Sequence, residues 1–322
     1  MIKKILRKIG MDGCVCNLPS GFHASVVLVE KEGWQKVVKI ISKDCLRTKK
    51  SARLLAEDIV AYYQALKNIG VITPENDIRI IKNGQRYDLV IISPFCGHNV
   101  SSRIRSGTEK ECLDTISSIL AIVKRFFLHP VSSDSSELVC GLDPKPDNFT
   151  LDRAGQMHYV DLMPPRYRKA GRAIVEFPPP SSPAGYDLAY FRHFDSRGIL
   201  LVLRTQLCRI RHDLRPQILE LLTDFSRGFN NPCLKDYFDD FPGERFISAG
   251  PSERKEIIER LGDEDIYLIR DIATQVACEN PLHFDRGWIE DIFHLTHFYD
   301  DVPAAENIKE IKKKLSAALK PR

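Results

Sequence analysis

The sequence contains no long apolar run. None of its 322 residues belongs to a stretch approaching the ~18 to 20 apolar residues of a membrane-spanning helix. The opening segment, MIKKILRKIG, also lacks the apolar core of a secretory signal. We therefore expect a soluble, cytoplasmic protein without a membrane span. The 43% hydrophobic content is sufficient for buried cores, and no internal repeat is evident.

Motifs that would bind a transition metal are also absent. The nine cysteines form no C-x-x-C pair, and the nine histidines include no H-E-x-x-H motif. A zinc centre or a metallohydrolase is therefore not expected. The single C-x-C, at Cys14 and Cys16, lies in a predicted strand, and we expect reduced core thiols. A net charge of +4 is too mild to predict nucleic-acid binding.

The most informative segment covers residues 140–162, CGLDPKPDNFTLDRAGQMHYVDL. Its spacing of Asp143, Lys145, Asn148 and Asp161 suits phosphoryl transfer from Mg-ATP, which depends on positioning and on charge neutralisation. A carboxylate such as Asp143 would orient an acceptor hydroxyl and take its proton. The oxygens of Asn148 and Asp161 would hold Mg²⁺, and Lys145 would stabilise the transferring phosphoryl group.

This pattern resembles the protein kinase-like superfamily, whose catalytic loop H-R-D-L-K-P-x-N is followed by a D-F-G metal-binding turn. Here the loop reads G-L-D-P-K-P-D-N and the later turn reads D-L-M. Residues 149–151 and 158–160 are predicted hairpin strands, with residues 152–155 as their turn. The alternative is a proline-rich surface turn beside an ordinary strand end.

The resemblance, which covers roughly residues 12 to 230, implies an α+β, bilobal fold. Residues 1–97 would form an N-lobe with a small antiparallel sheet and one helix. Residues 98–322 would form a larger, mainly helical C-lobe with the catalytic loop, the metal site and the acceptor region.

The family also needs a lysine for the ATP phosphates and a helical glutamate to hold it. Lys39, in a predicted strand over residues 35–41, occupies the place of the lysine in V-A-I-K. Glu57 follows eighteen residues later, in a predicted helix over residues 49–69. The adjacent Asp58 is a second candidate. The alternatives are an ordinary strand lysine and a solvated helix face.

The segment predicted to cover the bound nucleotide departs most from the sequence pattern of the family. In place of a G-x-G-x-x-G hairpin, residues 14–29 contain one glycine, so Ser20 and Gly21 are the candidate phosphate contacts. A hydrophobic strand over residues 87–92 then breaks at S-P-F-C-G, as a hinge would. By resemblance, backbone groups around Phe95 would pair with adenine.

Two further features belong to the predicted C-lobe. Asp187 opens an apolar segment, where the family has an aspartate that accepts hydrogen bonds from the catalytic-loop backbone, although an ordinary helix N-cap is an equal reading. Arg166 and Arg168 begin a basic cluster after Asp161, which favours an anionic acceptor or an acidic protein surface. The alternative is a solvated loop.

Departures from the protein-kinase pattern are the evidence for the type of acceptor. Leu142 replaces the arginine of H-R-D, and the chain from Asp161 to Asp187, twenty-six positions later, contains no A-P-E. These traits resemble aminoglycoside phosphotransferase and choline kinase-like enzymes, whereas Lys145 is more typical of serine/threonine kinases. We predict an ATP- and Mg²⁺-dependent phosphotransferase with a small hydroxylated acceptor. The alternatives are an atypical serine/threonine protein kinase and a pseudokinase that binds nucleotide or a protein partner.

Overall fold

The computed structural model divides the chain into two units. The first comprises Met1–His98 and Thr150–Pro164, and the second comprises Asn99–Phe149 and Pro165–Arg322. The structure describes residues 2–18, 24–41, 48–133, 135–165, 168–169, 172–173, 190–229, 231, 234, 245–246, 248–262, 265–296 and 305–319. The first unit thus includes a segment that the sequence assigns to the C-lobe.

A five-stranded antiparallel sheet forms the centre of the first unit. Its spatial order is β1-β2-β3-β5-β4. The strands are β1 (Cys14–Asn17), β2 (Ser25–Lys31), β3 (Trp34–Ile41), β4 (Asp77–Asn83) and β5 (Arg86–Pro94). Since side chains alternate along a strand, Val38 and Ile40 enter the core on one face while Lys39 lies on the other. In register, Lys39 is opposite Val26 and Ile91.

Two helices accompany this sheet. Helix α1 (Ile2–Lys8) packs its apolar side chains onto the sheet face that carries Val38. Helix α2 (Lys49–Asn68) begins at a capping box between Thr48 and Ser51, and it packs against β4 and β5. It ends before Gly70, whose φ of 75° is in the left-handed region that favours glycine. The predicted helix is confirmed to within one residue.

A short hairpin completes the first unit. Strands β6 (Phe149–Leu151) and β7 (Met157–Tyr159) pair with each other. Asp152 shapes the turn, since its Oδ1 accepts hydrogen bonds from the backbone nitrogens of Ala154 and Gln156 at 2.9 and 2.8 Å. The hairpin prediction is confirmed, with the second strand beginning one residue earlier than expected.

The second unit is mainly helical. A 3₁₀ turn, Pro146–Asn148, lies in the predicted catalytic loop. Two short strands, β8 (Arg168–Lys169) and β9 (Arg172–Ala173), pair with each other. The helix Ser196–Ile210 is almost wholly buried, and it packs against the helices Ser101–Ser106, Arg215–Arg227 and Ile266–Glu279. The helices are α3 (Ser101–Ser106), α4 (Glu109–Phe127), α5 (Ser196–Ile210), α6 (Arg215–Arg227), α7 (Pro251–Arg260), α8 (Ile266–Glu279), α9 (Arg286–Leu295) and α10 (Ala305–Ala318). A sheet unit and a helical unit confirm the predicted α+β class.

The cysteines differ in part from the expectation. Cys112, Cys140 and Cys208 are buried free thiols, as predicted. Cys14 and Cys16 are exposed, so the prediction of core thiols is wrong for this pair. They lie on the edge strand β1, two positions apart, and therefore share one uncovered face. Within the described segments, no helix has the length and apolar character needed to cross a membrane.

Candidate active site

The predicted site residues divide between the two units. Lys39, Glu57, Phe95 and Asp161 belong to the first unit, while Asp143, Lys145 and Asn148 belong to the second. Ser20, Gly21, Arg166 and Asp187 lie outside the described residues. Arg168 is described only as part of strand β8, without its side chain.

In the first unit, Lys39 contacts the end of the β6–β7 hairpin. Its Nζ donates a hydrogen bond to the Val160 carbonyl at 2.8 Å and lies 3.8 Å from Asp161 Oδ1. Both side chains keep about a fifth of their surface exposed, at 22% and 21%. The predicted phosphate lysine and the predicted metal ligand are therefore an ion pair that solvent can reach.

Glu57 lies apart from this pair. It is exposed, and in the described part of the chain no hydrogen bond or ion pair joins it to Lys39. Helix α2 buries its residues at positions 52, 55, 59, 62 and 66, which turns position 57 outward. Asp58 borders the buried face and is half-buried. The role of Glu57 stays a prediction, and the helical phase favours Asp58.

The segment after β5 contacts β3 and passes close to the β6–β7 hairpin. The Phe95 backbone nitrogen donates to the Gln35 carbonyl at 3.2 Å, and the Phe95 ring meets the His98 ring edge-on at 5.2 Å between centroids. Gly97 has a φ of 90°, and a Cβ there would overlap the Leu151 carbonyl oxygen. Only glycine therefore allows this chain crossing. The break predicted as a hinge therefore passes close to β6, and its role as a hinge stays a prediction.

In the second unit, Asp143 lies between two cations. Lys145 Nζ is 3.0 Å from its Oδ2, and Arg192 Nη2 donates to its Oδ1 at 3.1 Å. The Asp143 side chain is 13% exposed and the Arg192 side chain 16% exposed, whereas Lys145 is 39% exposed. Arg192 thus lies largely in the interior, whereas Lys145 is accessible from solvent.

Local hydrogen bonds explain why the loop takes this shape. Asn148 donates its side-chain amide to the Asp143 carbonyl at 3.0 Å, and its backbone nitrogen donates to the Lys145 carbonyl at 2.9 Å. Ser101 on α3 donates to Asp147 at 2.6 Å. Because Asn148 uses its nitrogen for the loop, its amide oxygen suits a hard cation, as does the Asp161 carboxylate. The donor types of both residues fit Mg²⁺.

The charges around Asp143 govern its protonation. Burial alone would raise the pKa of Asp143, but the charges of Lys145 and Arg192 outweigh that effect and hold the pKa well below its usual range. Burial also opposes the charge on Arg192, yet Tyr267 and Asp143 raise the pKa of that guanidinium. Asp143 is therefore a carboxylate at every pH near neutrality.

His193 is neutral beside this pair. Its Nδ1 donates to the Leu142 carbonyl at 3.1 Å, and the Leu142 nitrogen donates to the His193 carbonyl at 2.8 Å. Burial, reinforced by the Arg192 charge, lowers the pKa of His193 from 6.5 to about 3. Residues 190–194 are thus bonded to the predicted catalytic loop through a side chain that is neutral near physiological pH.

This depressed pKa predicts a pH dependence of stability. Between pH 6.5 and about 3 the unfolded chain protonates His193 but the folded chain does not, so stability falls as pH falls. Each unit in this window costs up to about 1.4 kcal/mol. His193→Asn keeps a donor for Leu142 without titrating, and urea unfolding at pH 7, 6, 5 and 4 should show a shallower decline than in wild type. The exposed His129→Asn is the control, and equal declines in both variants would refute the assignment.

Two residues that the sequence does not single out contact the predicted site or support it. Arg192 belongs to no local motif, so only the folded chain brings it to Asp143. Asp195 caps α5, where it accepts from the Arg197 nitrogen at 2.9 Å and from Ser136 Oγ at 2.8 Å. An aspartate directly before an apolar run was a visible N-cap signal. Asp195 therefore anchors the segment that leads into the catalytic loop.

Comparisons with known proteins give no family. No protein-family model and no curated protein matches the sequence. Among solved structures, the Cydia pomonella granulovirus kinase PK-1 is similar at 11% identity and a TM-score of 0.38, over 84% of this chain and 90% of the viral one. The MAP kinase LmaMPK10 from Leishmania major is similar at 12% identity and a TM-score of 0.40, over 99% and 98% of the two chains. Because these values are low, the case for function rests on the chain's own residues.

Proposed function

We propose that the protein is an ATP- and Mg²⁺-dependent phosphotransferase that moves the γ-phosphoryl group of ATP to an acceptor hydroxyl. The observation that carries this proposal is the assembly of Asp143, Lys145 and Asn148 on one loop, with Asp143 held as a carboxylate between two cations. A solvated surface turn has no need of a buried arginine aimed at its carboxylate. Phosphoryl transfer needs a fixed anion to align the acceptor.

Each residue has a distinct role in this proposal. Asp143 binds the acceptor hydroxyl, and Lys145 supplies positive charge to the transferring phosphoryl group. Asn148 and Asp161 would hold Mg²⁺, which neutralises the phosphate charge when bound. Lys39 would bind the α and β phosphates, after giving up its contact with Asp161.

The acceptor is proposed to be a small hydroxylated molecule. The support is the short segment between Asp161 and Asp187, which contains no A-P-E platform for a peptide. The basic residues Arg166 and Arg168 in this segment would favour an anionic acceptor. Lys145, as a serine/threonine-kinase trait, keeps a protein acceptor as the alternative.

The nucleotide assignment is tested by thermal stabilisation. Ligand at 100 times its dissociation constant adds about 2.7 kcal/mol to a folded state that binds it. We expect ATP with Mg²⁺ to raise the melting temperature more than ATP alone. Asp161→Asn should remove the magnesium-dependent part and keep the shift with ATP alone.

The exposed Asp77→Asn on β4 is the matched control, because among the described residues the Asp77 carboxylate pairs only with Arg79, two positions away. Its shifts should equal those of wild type. Equal shifts in all three proteins would contradict the role of Asp161, and no shift with any nucleotide would contradict ATP binding.

A pseudokinase is the second candidate, and two observations favour it. Lys39 is paired with Asp161, and Glu57 is exposed. A pseudokinase would bind nucleotide or a partner protein without turnover. Retention of Asp143, Lys145 and Asn148 in one ordered loop favours the enzyme.

A further inference from the structure

We propose that Cys14 and Cys16 form a redox-active dithiol, which a hydroperoxide converts to an intrachain disulfide and a thiol reductant restores. The disulfide bends β1 and so disturbs the predicted nucleotide cover, residues 14–29. This effect on the cover rests on the proposed function, whereas formation of the disulfide does not depend on it.

The two thiols are accessible to solvent, which is unusual because cysteine is among the residues most often buried. Cys112, Cys140 and Cys208 are buried, whereas Cys14 and Cys16 are exposed free thiols. Oxidation of cysteine depends on exposure, so an oxidant in solution reaches the exposed pair more readily than the buried thiols.

Both exposed thiols lie on one face of the sheet. Val15, between them, packs against the core cluster that includes α1, so Cys14 and Cys16 point to the opposite face. Neighbouring protein atoms that displace water raise the pKa of Cys16 most, and Cys14 adds to this shift through its charge and through a hydrogen bond. The two side chains are therefore in contact, and each thiol has a partner within reach.

The position of β1 at the edge of the sheet permits the strand to bend. Alternate Cα atoms of an extended strand are about 6.6 Å apart, whereas disulfides most often join Cα atoms ~5.5 to 6 Å apart. The bridge must therefore shorten the strand. Among the described strands, β2 is the ladder partner of β1, so shortening disrupts one ladder. A strained disulfide is easily reduced, which suits a reversible modification.

A change in β1 extends toward Lys39, the predicted phosphate lysine. Cys14 and Cys16 lie on the sheet face that carries Lys39, which is the face opposite α1. The Leu18 nitrogen, two positions after Cys16, donates to the Val26 carbonyl at 3.0 Å, and Val26 is in register with Lys39. Neighbouring strands are ~4.8 Å apart, so β1 runs about 10 Å from the strand of Lys39. Oxidation therefore alters the predicted cover beside the predicted phosphate site.

The oxidation balances with hydrogen peroxide as the oxidant. One thiolate attacks a peroxide oxygen, so an S–O bond forms, the O–O bond breaks, and the released hydroxide takes up a thiol proton to give water. The second thiolate attacks the sulfenic sulfur, so the S–S bond forms, the S–O bond breaks, and a second hydroxide leaves and becomes water. The two sulfurs lose two electrons, which reduce the peroxide. A dithiol reductant reverses the change through a mixed disulfide.

Mass spectrometry of the oxidised full chain tests for the disulfide. Trypsin cleaves after Lys8 and Lys31, and the peptide over residues 9–31 contains Cys14 and Cys16 as its only cysteines. After treatment with stoichiometric hydrogen peroxide and alkylation under denaturing conditions, this peptide should be two hydrogens lighter than its dithiol form and carry no alkyl group. Dithiothreitol should restore both alkylation sites.

Two single variants complete this test. Cys16→Ala removes one thiol, so the peptide should retain Cys14 as a sulfenic acid that dimedone traps. Cys278→Ala is the matched control, because Cys278 is a half-buried thiol of the second unit, and it should leave the bridged peptide unchanged. Two alkylated cysteines after oxidation of wild type, sulfinic acids in place of the bridge, or a link to a second chain would overturn the proposal.

The effect on the predicted cover is tested by the melting shift with Mg-ATP. The bridged protein should show a smaller shift than the reduced protein and recover with dithiothreitol, while the double variant Cys14→Ala, Cys16→Ala should be insensitive to peroxide. Equal shifts in reduced and bridged wild type would overturn the effect on the cover. A complete lack of a shift in both forms would contradict the proposed function and leave the disulfide in place, since the peptide mass reports it without nucleotide.

Discussion

Asp143→Asn is expected to lower kcat about 10²- to 10⁴-fold, the range associated with losing a positioned acid–base group. The amide is nearly isosteric, but it presents one neutral oxygen where the carboxylate aligns the acceptor. It also leaves the cations Lys145 and Arg192 without their shared anion. Steady-state formation of ADP with saturating Mg-ATP measures the effect.

Binding and catalysis are separated by the controls for this variant. The magnesium-dependent melting shift with ATP should persist in Asp143→Asn, since no nucleotide contact is assigned to Asp143. Asp114→Asn, on the exposed face of α4, removes a carboxylate whose ion pair in the described part of the chain is with the exposed Lys110, and it should keep full activity. Full activity in Asp143→Asn would remove Asp143 from the catalytic machinery.

Asp271→Ala is expected to destabilise the folded protein by about 3 to 5 kcal/mol, because it leaves buried guanidinium groups without their counter-ion. Asp271 on α8 is fully buried and accepts hydrogen bonds from Arg204 on α5 at 2.9 and 3.0 Å. Arg215, at the start of α6, donates to the same carboxylate at 3.2 Å. Three helices of the second unit therefore share one buried carboxylate.

Urea unfolding of wild type, Asp271→Ala and Asp213→Ala measures this effect. Asp213 pairs with Arg211, but 56% of its side chain is exposed, so its loss should cost no more than about 1 kcal/mol. Comparable losses in the two variants would show that the buried network contributes no more than an exposed ion pair.

The parts of the fold that local sequence determines were predictable. The β-branched strand around Lys39, the helix ending at Gly70 and the hairpin turn at Asp152 each depend on neighbours within a few residues. The close grouping of Asp143, Lys145 and Asn148 also follows from local spacing, while the catalytic role of this loop stays a prediction. For these elements, sequence and structure agree to within one or two residues.

Contacts between distant residues were not predictable. Arg192 reaches Asp143 across forty-nine residues, and Arg204 reaches Asp271 across sixty-seven. Nothing in their immediate sequence distinguishes these arginines from the others. The sequence offered Glu57 and Asp58 as acidic partners for Lys39. The apolar positions of α2 define a buried stripe whose edge is at Asp58, so the helical phase could have favoured Asp58. Whether a side chain on an edge strand is covered depends on which elements pack against that strand. The strand pattern alone therefore could not predict that Cys14 and Cys16 are exposed.

The central claim is most directly tested by following the γ-phosphoryl group of Mg-ATP with phosphorus NMR in the presence of wild-type protein. Fractionated small metabolites and fractionated proteins would be supplied in turn as acceptors. We predict loss of the γ-phosphate signal, formation of ADP and a new phosphate ester with at least one fraction, and none of these with Asp143→Asn. Binding of Mg-ATP without transfer to any fraction would contradict the account and identify a nucleotide-binding pseudokinase.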